Sequence, residues 1–193
     1  MQTKTIEVFT LSELTGEAKE NALSKLRDWA TDADWYDAVY DDAKNIAALM
    51  GIEIDNIYFS GFCSQGDGAC FDGRYKYVKG ASKAVKRYAP LDKTLHVLCK
   101  RLQDVQRHYF YEITANISCN ERYHRTSGTY DINGRFCDIP DCVIDDMDQV
   151  FSELADWIYK ELESEYDHLT SEETLLENSD ANGYQFTDDG DLI

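Results

Sequence analysis

From Ile52 to Val78 the chain reads strand, glycine-rich turn, strand, and this stretch leaves little choice of local fold. Ile52–Phe59 is apolar and β-prone. Ala69–Val78 sets Cys70, Asp72, Arg74, Lys76 and Val78 against Phe71, Gly73, Tyr75 and Tyr77. Period-two patterning of this kind places alternate residues on opposite sheet faces. About ten residues lie between the runs, so the expected product is an antiparallel pair. The connecting segment carries Ser60, Gly61, Ser64, Gln65, Gly66, Asp67 and Gly68, bracketed by Phe59, Phe62 and Phe71. Three glycines in eight residues imply repeated tight turning or positive φ. Such a loop either carries function or uses its Ser, Gln and Asp side chains to satisfy its own backbone.

The flanking segments supply helices and further strands. Ala18, Ala22, Leu23 and Leu26 recur at helical spacing after Thr15. Trp35, Val39, Ala43, Ile46, Ala47 and Met50 make a second apolar stripe, which Gly51 ends. Ala81–Tyr88 is a short basic helix stopped by Pro90. A further helix follows from Asp92 to about His108, with Leu95, Leu98, Cys99, Leu102 and Val105 inward and Lys93, Lys100, Arg101 and Arg107 outward. Tyr109–Cys119 alternates and pairs with Arg122–Tyr130. Lys4–Phe9 and Tyr184–Thr187 read as short strands, Asp131–Gly134 as a turn, and residues 136–143 as irregular. A long amphipathic helix covers about 144–167, and Thr170-Ser-Glu-Glu173 fits the capping box of another. The expected fold is a single α+β domain over 1–193: an antiparallel sheet of about five strands, helices on one face, and an acidic C-terminal helical part at about 144–180.

Charge narrows the choice of partner. The formal net charge is −18, and residues 138–193 hold 18 acids against Lys160 alone. Residues 28–72 hold ten acids against Lys44, while 74–107 hold ten bases against Asp92 and Asp104. Free nucleic acid suits such a surface poorly, because phosphates meet repulsion over most of it. A basic protein, or one that normally holds nucleic acid, suits it well. The candidate partner-binding face is the outer side of the long helix: Asp145, Asp146, Glu153, Asp156, Glu163 and Asp167. Carboxylates three and four residues apart lie about 5–6 Å from one another on a helix, a spacing able to imitate a nucleic-acid backbone.

Four local patterns carry a family resemblance: Ser12-Glu13-Leu14 with Ala18-Lys19; Trp35-Tyr36 with Val39–Lys44 and Gly51-Ile52; Phe59–Phe71; and Gly183-Tyr184 with Phe186-Thr187 and Asp189-Gly190. Together they resemble a family of tailed-phage and prophage proteins whose members are often labelled as an antitoxin of a toxin–antitoxin stability system. The resemblance implies a mobile-element setting in which a small acidic protein occupies a host or toxin protein.

Two other functions fit parts of the sequence. The Ser60–Cys70 loop, with the basic segment Arg74–Arg107, could hold a small molecule or nucleotide, although the Lys-Ser/Thr of a phosphate-binding loop is missing. Asp67-Gly68-Ala69-Cys70 superficially resembles a cysteine-protease nucleophile segment, with His124 as base. Neither reading requires a cofactor. Asp67 and Asp72 lack a third oxygen ligand, and His96-x-x-Cys99 and Cys137-x4-Cys142 lack partner pairs, so no metal is expected. The six cysteines are expected as free thiols. No run reaches the roughly 18 apolar residues of a membrane span, and no apolar signal core opens the chain, so a cytoplasmic location is expected.

Overall fold

The structure is a computed structural model and describes residues 7–32, 34–122, 124–132 and 139–193. Among the described residues there are six helices and four strands: α1 (Gly16–Ala30), α2 (Asp37–Met50), β1 (Ile52–Phe59), β2 (Ala69–Lys76), α3 (Ala81–Tyr88), α4 (Lys93–His108), β3 (Ile113–Asn120), β4 (Arg125–Ile132), α5 (Asp141–Thr170) and α6 (Glu172–Asn182). The strands form one antiparallel sheet in sequential order, β1-β2-β3-β4. The α+β class and the long C-terminal helix follow the sequence expectation. The sheet has four strands, not about five.

The missing strand has a physical explanation. Phe9 and Phe186 exchange backbone hydrogen bonds at 2.9 and 2.8 Å, and Phe186 also bridges to Leu192. Among the described residues these are isolated bridges, with no ladder to extend them. Residues 4–6 of the expected first strand lie outside the described residues, as do 133–138, where the turn after β4, Cys137 and the first part of the expected irregular segment fall.

The chain divides into two compact units. Ala38–Leu162 holds the sheet; Met1–Asp37 with Glu163–Ile193 forms the other. In the sheet unit, registers Ile52↔Tyr75↔Ala115↔Tyr130 and Ile54↔Gly73↔Ile117↔Gly128 put one row of apolar and small residues on a single face. Phe151 of α5 covers that face, with its ring 5.8 Å from Tyr75 and 6.5 Å from Tyr130. Burial of Met147, Val150, Phe151, Leu154 and Ile158 continues the same stripe, so roughly 1.5–3 kcal/mol per large side chain favours the docked helix. The opposite face presents Glu53, Arg74, Asn116 and Thr129, all exposed. Asp55 is the bulge residue that shifts the β1–β2 register between Ile54 and Asn56, and Arg74 pairs with both Glu53 (3.3 Å) and Asp55 (3.6 Å).

In the other unit, Leu23, Leu26, Leu175 and Phe186 form a core with Leu11 and Leu14. Ser171 caps α6 by accepting from Thr174 N at 3.2 Å. Lys19 pairs with Glu172 at 2.6 Å.

Candidate functional site

The glycine loop is held together by its own polar groups. Asp67 Oδ2 accepts from the backbone N–H of Ser64 at 2.7 Å and of Cys63 at 3.0 Å. Ser60 Oγ accepts from Gly68 N at 3.1 Å, and Ser60 N donates back to Gly68 O at 3.1 Å. The Ser64 N–H first, then Ser60, Cys63 and the nearby His124, hold the Asp67 carboxyl below its ordinary range. Only Gly66, at φ 102°, requires left-handed backbone here. Tyr159 of α5 donates to Gly61 O at 3.0 Å, and Phe62 lies between Phe59 (5.9 Å) and Tyr159 (5.4 Å). Ser64 and Gln65 are exposed at the tip. Three backbone N–H donors of the loop, those of Cys63, Ser64 and Gly68, are already used by Asp67 and Ser60.

The base of the loop meets a residue that sequence spacing does not bring near it. A Cβ on Gly68 would stand 3.3 Å from His124 Cβ. His124 occupies the β3–β4 turn at φ 44°, and its Nδ1 is buried without a hydrogen-bond partner among the described residues. Cys70, two residues on, is fully buried and disulfide-bonded to Cys119, with Cα atoms 5.4 Å apart. This corrects the expectation of free thiols: Cys63, Cys99 and Cys142 are free, and Cys70 and Cys119 are not. The pairing depends on β2–β3 register, which a sequence separation of 49 conceals. A nucleophile needs an accessible thiolate, and Cys70 offers none.

The acidic face of α5 is less uniform than its periodicity suggests. Asp145 is exposed. Asp146 and Glu153 both turn to Arg101 of α4. Arg101 Nε donates to Asp146 at 3.1 Å, and its Nη1 donates to both Glu153 oxygens at 2.9 and 3.0 Å. Burial works against the guanidinium charge, but these carboxylates more than offset it and hold the Arg101 pKa above its usual value. Arg101, read from the sequence as outward, therefore ties α4 to α5. Asp156 is exposed; its pKa is raised by partial desolvation and by Glu153, against the pull of Lys160. Glu163 and Asp167 fall in the part of α5 that belongs to the other unit.

A second carboxylate group was not apparent in the sequence. The Glu161 pKa is raised by desolvation and then by Asp92 and Asp42. Asp92 caps α4, accepting from Leu95 N at 3.0 Å, and also accepts from Trp157 Nε1 at 2.7 Å. Asp42 accepts from Tyr88 Oη at 2.6 Å. Charges from two distant stretches thus bear on Glu161. Among the described residues no group of three or more His, Cys, Asp or Glu is placed to hold a metal ion. None of the described helices is long and apolar enough to cross a membrane.

These features define an α+β protein whose sheet unit packs the long helix α5 against one face of a four-stranded antiparallel sheet. The chain belongs to the family of the domain of unknown function DUF8835, which matches residues 35–172 and so contains the whole sheet unit. No curated protein and no solved structure matches the chain.

Proposed function

We propose that the chain is a binding protein that neutralises a basic or nucleic-acid-binding protein through the acidic helical side of its sheet unit. The setting implied by the phage-family resemblance makes that partner a host or toxin protein, with this chain as antitoxin or counter-defence inhibitor. The observation that carries the reading is that Tyr88 (2.6 Å) and Trp157 (2.7 Å) fix the carboxylates of Asp42 and Asp92, whose charges, after desolvation, help raise the Glu161 pKa. Like charges held together in one folded surface destabilise it until a cation arrives. A partner's Lys or Arg cluster supplies that cation, so relief of repulsion becomes binding energy. Asp156, raised by desolvation and, against the pull of Lys160, by Glu153, adds a further exposed carboxylate on α5. In its finer form the reading is phosphate mimicry, with these carboxylates filling a cleft built for a nucleic-acid backbone.

The glycine-loop ligand reading has less support, because Asp67 and Ser60 occupy the loop's own donors. The proposal is tested by affinity capture from host lysate with the wild type and an Asp42→Asn, Asp156→Asn, Glu161→Gln variant. A basic protein retained by the wild type at low salt, and lost from the variant, is the expected result. Equal retention by both removes the acidic side from the interface.

A further inference from the structure

A groove of about 550 Å³ lies between α3 and α4, and its chemistry is opposite to that of the rest of the protein. Lys86 of α3 and Lys93, Lys100 and Arg107 of α4 line it. The three α4 residues recur every seven positions, hence on one helix face, and cover about 21 Å of helix axis. All four are exposed, and among the described residues none forms an ion pair. Asp104 is the single carboxylate in the lining. Exposed Val97 gives an apolar wall. His96 is fixed by a 2.8 Å hydrogen bond with Ala89 O, and Ser82 Oγ donates to Gln103 Oε1 at 2.8 Å, so the polar groups around the cations are pre-oriented.

Four exposed cations line one groove of a chain with net charge −18, and Asp104 is the single carboxylate among them. A multivalent anion seated among them gains the attraction of more than one of them. We infer that the α3–α4 groove is a binding site for a compact polyphosphate, of the nucleoside di- or triphosphate class. This site is separate from the acidic side and from the glycine loop. Phosphate oxygens suit ammonium and guanidinium donors, and with the α4 cations about 10 Å apart along the axis a polyphosphate engages adjacent ones rather than all at once. The volume lies within the range of small-molecule sites, roughly 300–1,000 Å³. An extended nucleic-acid strand fits less well. At the Lys93 end of the groove it would meet the N-cap carboxylate Asp92 and be repelled there.

The test is calorimetric titration of the full chain with ATP, tripolyphosphate, adenosine and a single-stranded oligonucleotide at matched ionic strength. The variants are Lys93→Gln/Lys100→Gln/Arg107→Gln and, as a control on the sheet's outer face, Lys76→Gln. ATP and tripolyphosphate are expected to bind the wild type and Lys76→Gln alike. Binding to the triple variant should be weaker by at least about tenfold, the effect of losing even one charge-assisted contact. Adenosine should not bind. Circular dichroism of the triple variant should match the wild type, because the three side chains are exposed. Four results each overturn the inference: no heat with either polyphosphate, equal binding by the triple variant, adenosine binding as tightly as ATP, or an oligonucleotide binding tenfold tighter than ATP.

Discussion

Trp157 Nε1 donates to Asp92 Oδ2 at 2.7 Å, which joins the middle of α5 to the first turn of α4. The other Asp92 oxygen caps α4 through Leu95 N. One carboxylate therefore closes a helix end, satisfies a buried indole and contributes to the field around Glu161. Asp92→Ala removes a cap and strands the indole N–H, for an expected loss of about 2–4 kcal/mol in urea unfolding. Asp92→Asn keeps one acceptor, enough for the cap or the indole but not both, and should lose less than Asp92→Ala. Equal losses in the two variants would show that the negative charge, and not the hydrogen bonds, is what stabilises this junction.

Glu161 gives a pH signature. Its folded pKa is raised, so in the window between the unfolded and folded values the native state holds more protons than the unfolded state. Stability from this group is therefore lost as pH rises through the folded pKa. Glu161→Gln should raise the melting temperature at neutral pH and leave it unchanged in acid below the ordinary Glu range. An increase of the same size at both pH values would mean that charge is not the cause.

The glycines divide by what surrounds them. A Cβ on Gly73 would lie 2.2 Å from Glu53 O, inside the β1–β2 ladder, so Gly73→Ala should force the strands apart and cost about 3 kcal/mol or more. A Cβ on Gly61 meets only Asp67 Oδ2 at 3.8 Å, so Gly61→Ala should change stability by about 0.5 kcal/mol or less. Thermal unfolding of both variants checks the contrast.

Cys70 and Cys119 should resist alkylation in denaturant until a reductant is added, whereas Cys63, Cys99 and Cys142 should react at once. Peptide mass mapping distinguishes the two sets. Reduction opens a loop that spans 49 positions, so it should lower stability by about 2–4 kcal/mol.

Much of the fold is visible in local chemistry. Gly80 and Pro90 bound α3 at Ala81 and Tyr88 as read from the sequence, and Asp92 starts α4 as a cap should. Periodicity fails where a residue's neighbour comes from another element. Gln106 sits in a polar-looking stripe of α4, yet it is fully buried: its Nε2 donates to Ile113 O at 2.6 Å and its Oε1 accepts from Ile113 N at 3.2 Å. The alternation from Tyr109 suggests an early start for β3, but Phe110 and Tyr111 have left-handed backbone (φ 56° and 64°), and the strand begins at Ile113. The cap of α6 is Ser171, one residue after the Thr170 of the expected capping box.

The candidate sites follow the same division. The loop's self-bonding was one of two readings open from Ser60, Ser64, Gln65 and Asp67. The pairing of Arg101 with Asp146 and Glu153, and the grouping of Asp42, Asp92 and Glu161, arise only when α2, α4 and α5 come together. A single helical wheel holds no sign of either.

The most direct test of the central claim is the salt dependence of binding between the chain and its captured partner, measured for the wild type and for the Asp42→Asn, Asp156→Asn, Glu161→Gln variant. The account predicts that wild-type affinity falls steeply with salt, and that the variant binds at least about tenfold more weakly at low salt with a shallower dependence. Parallel salt dependences and equal affinities would contradict it.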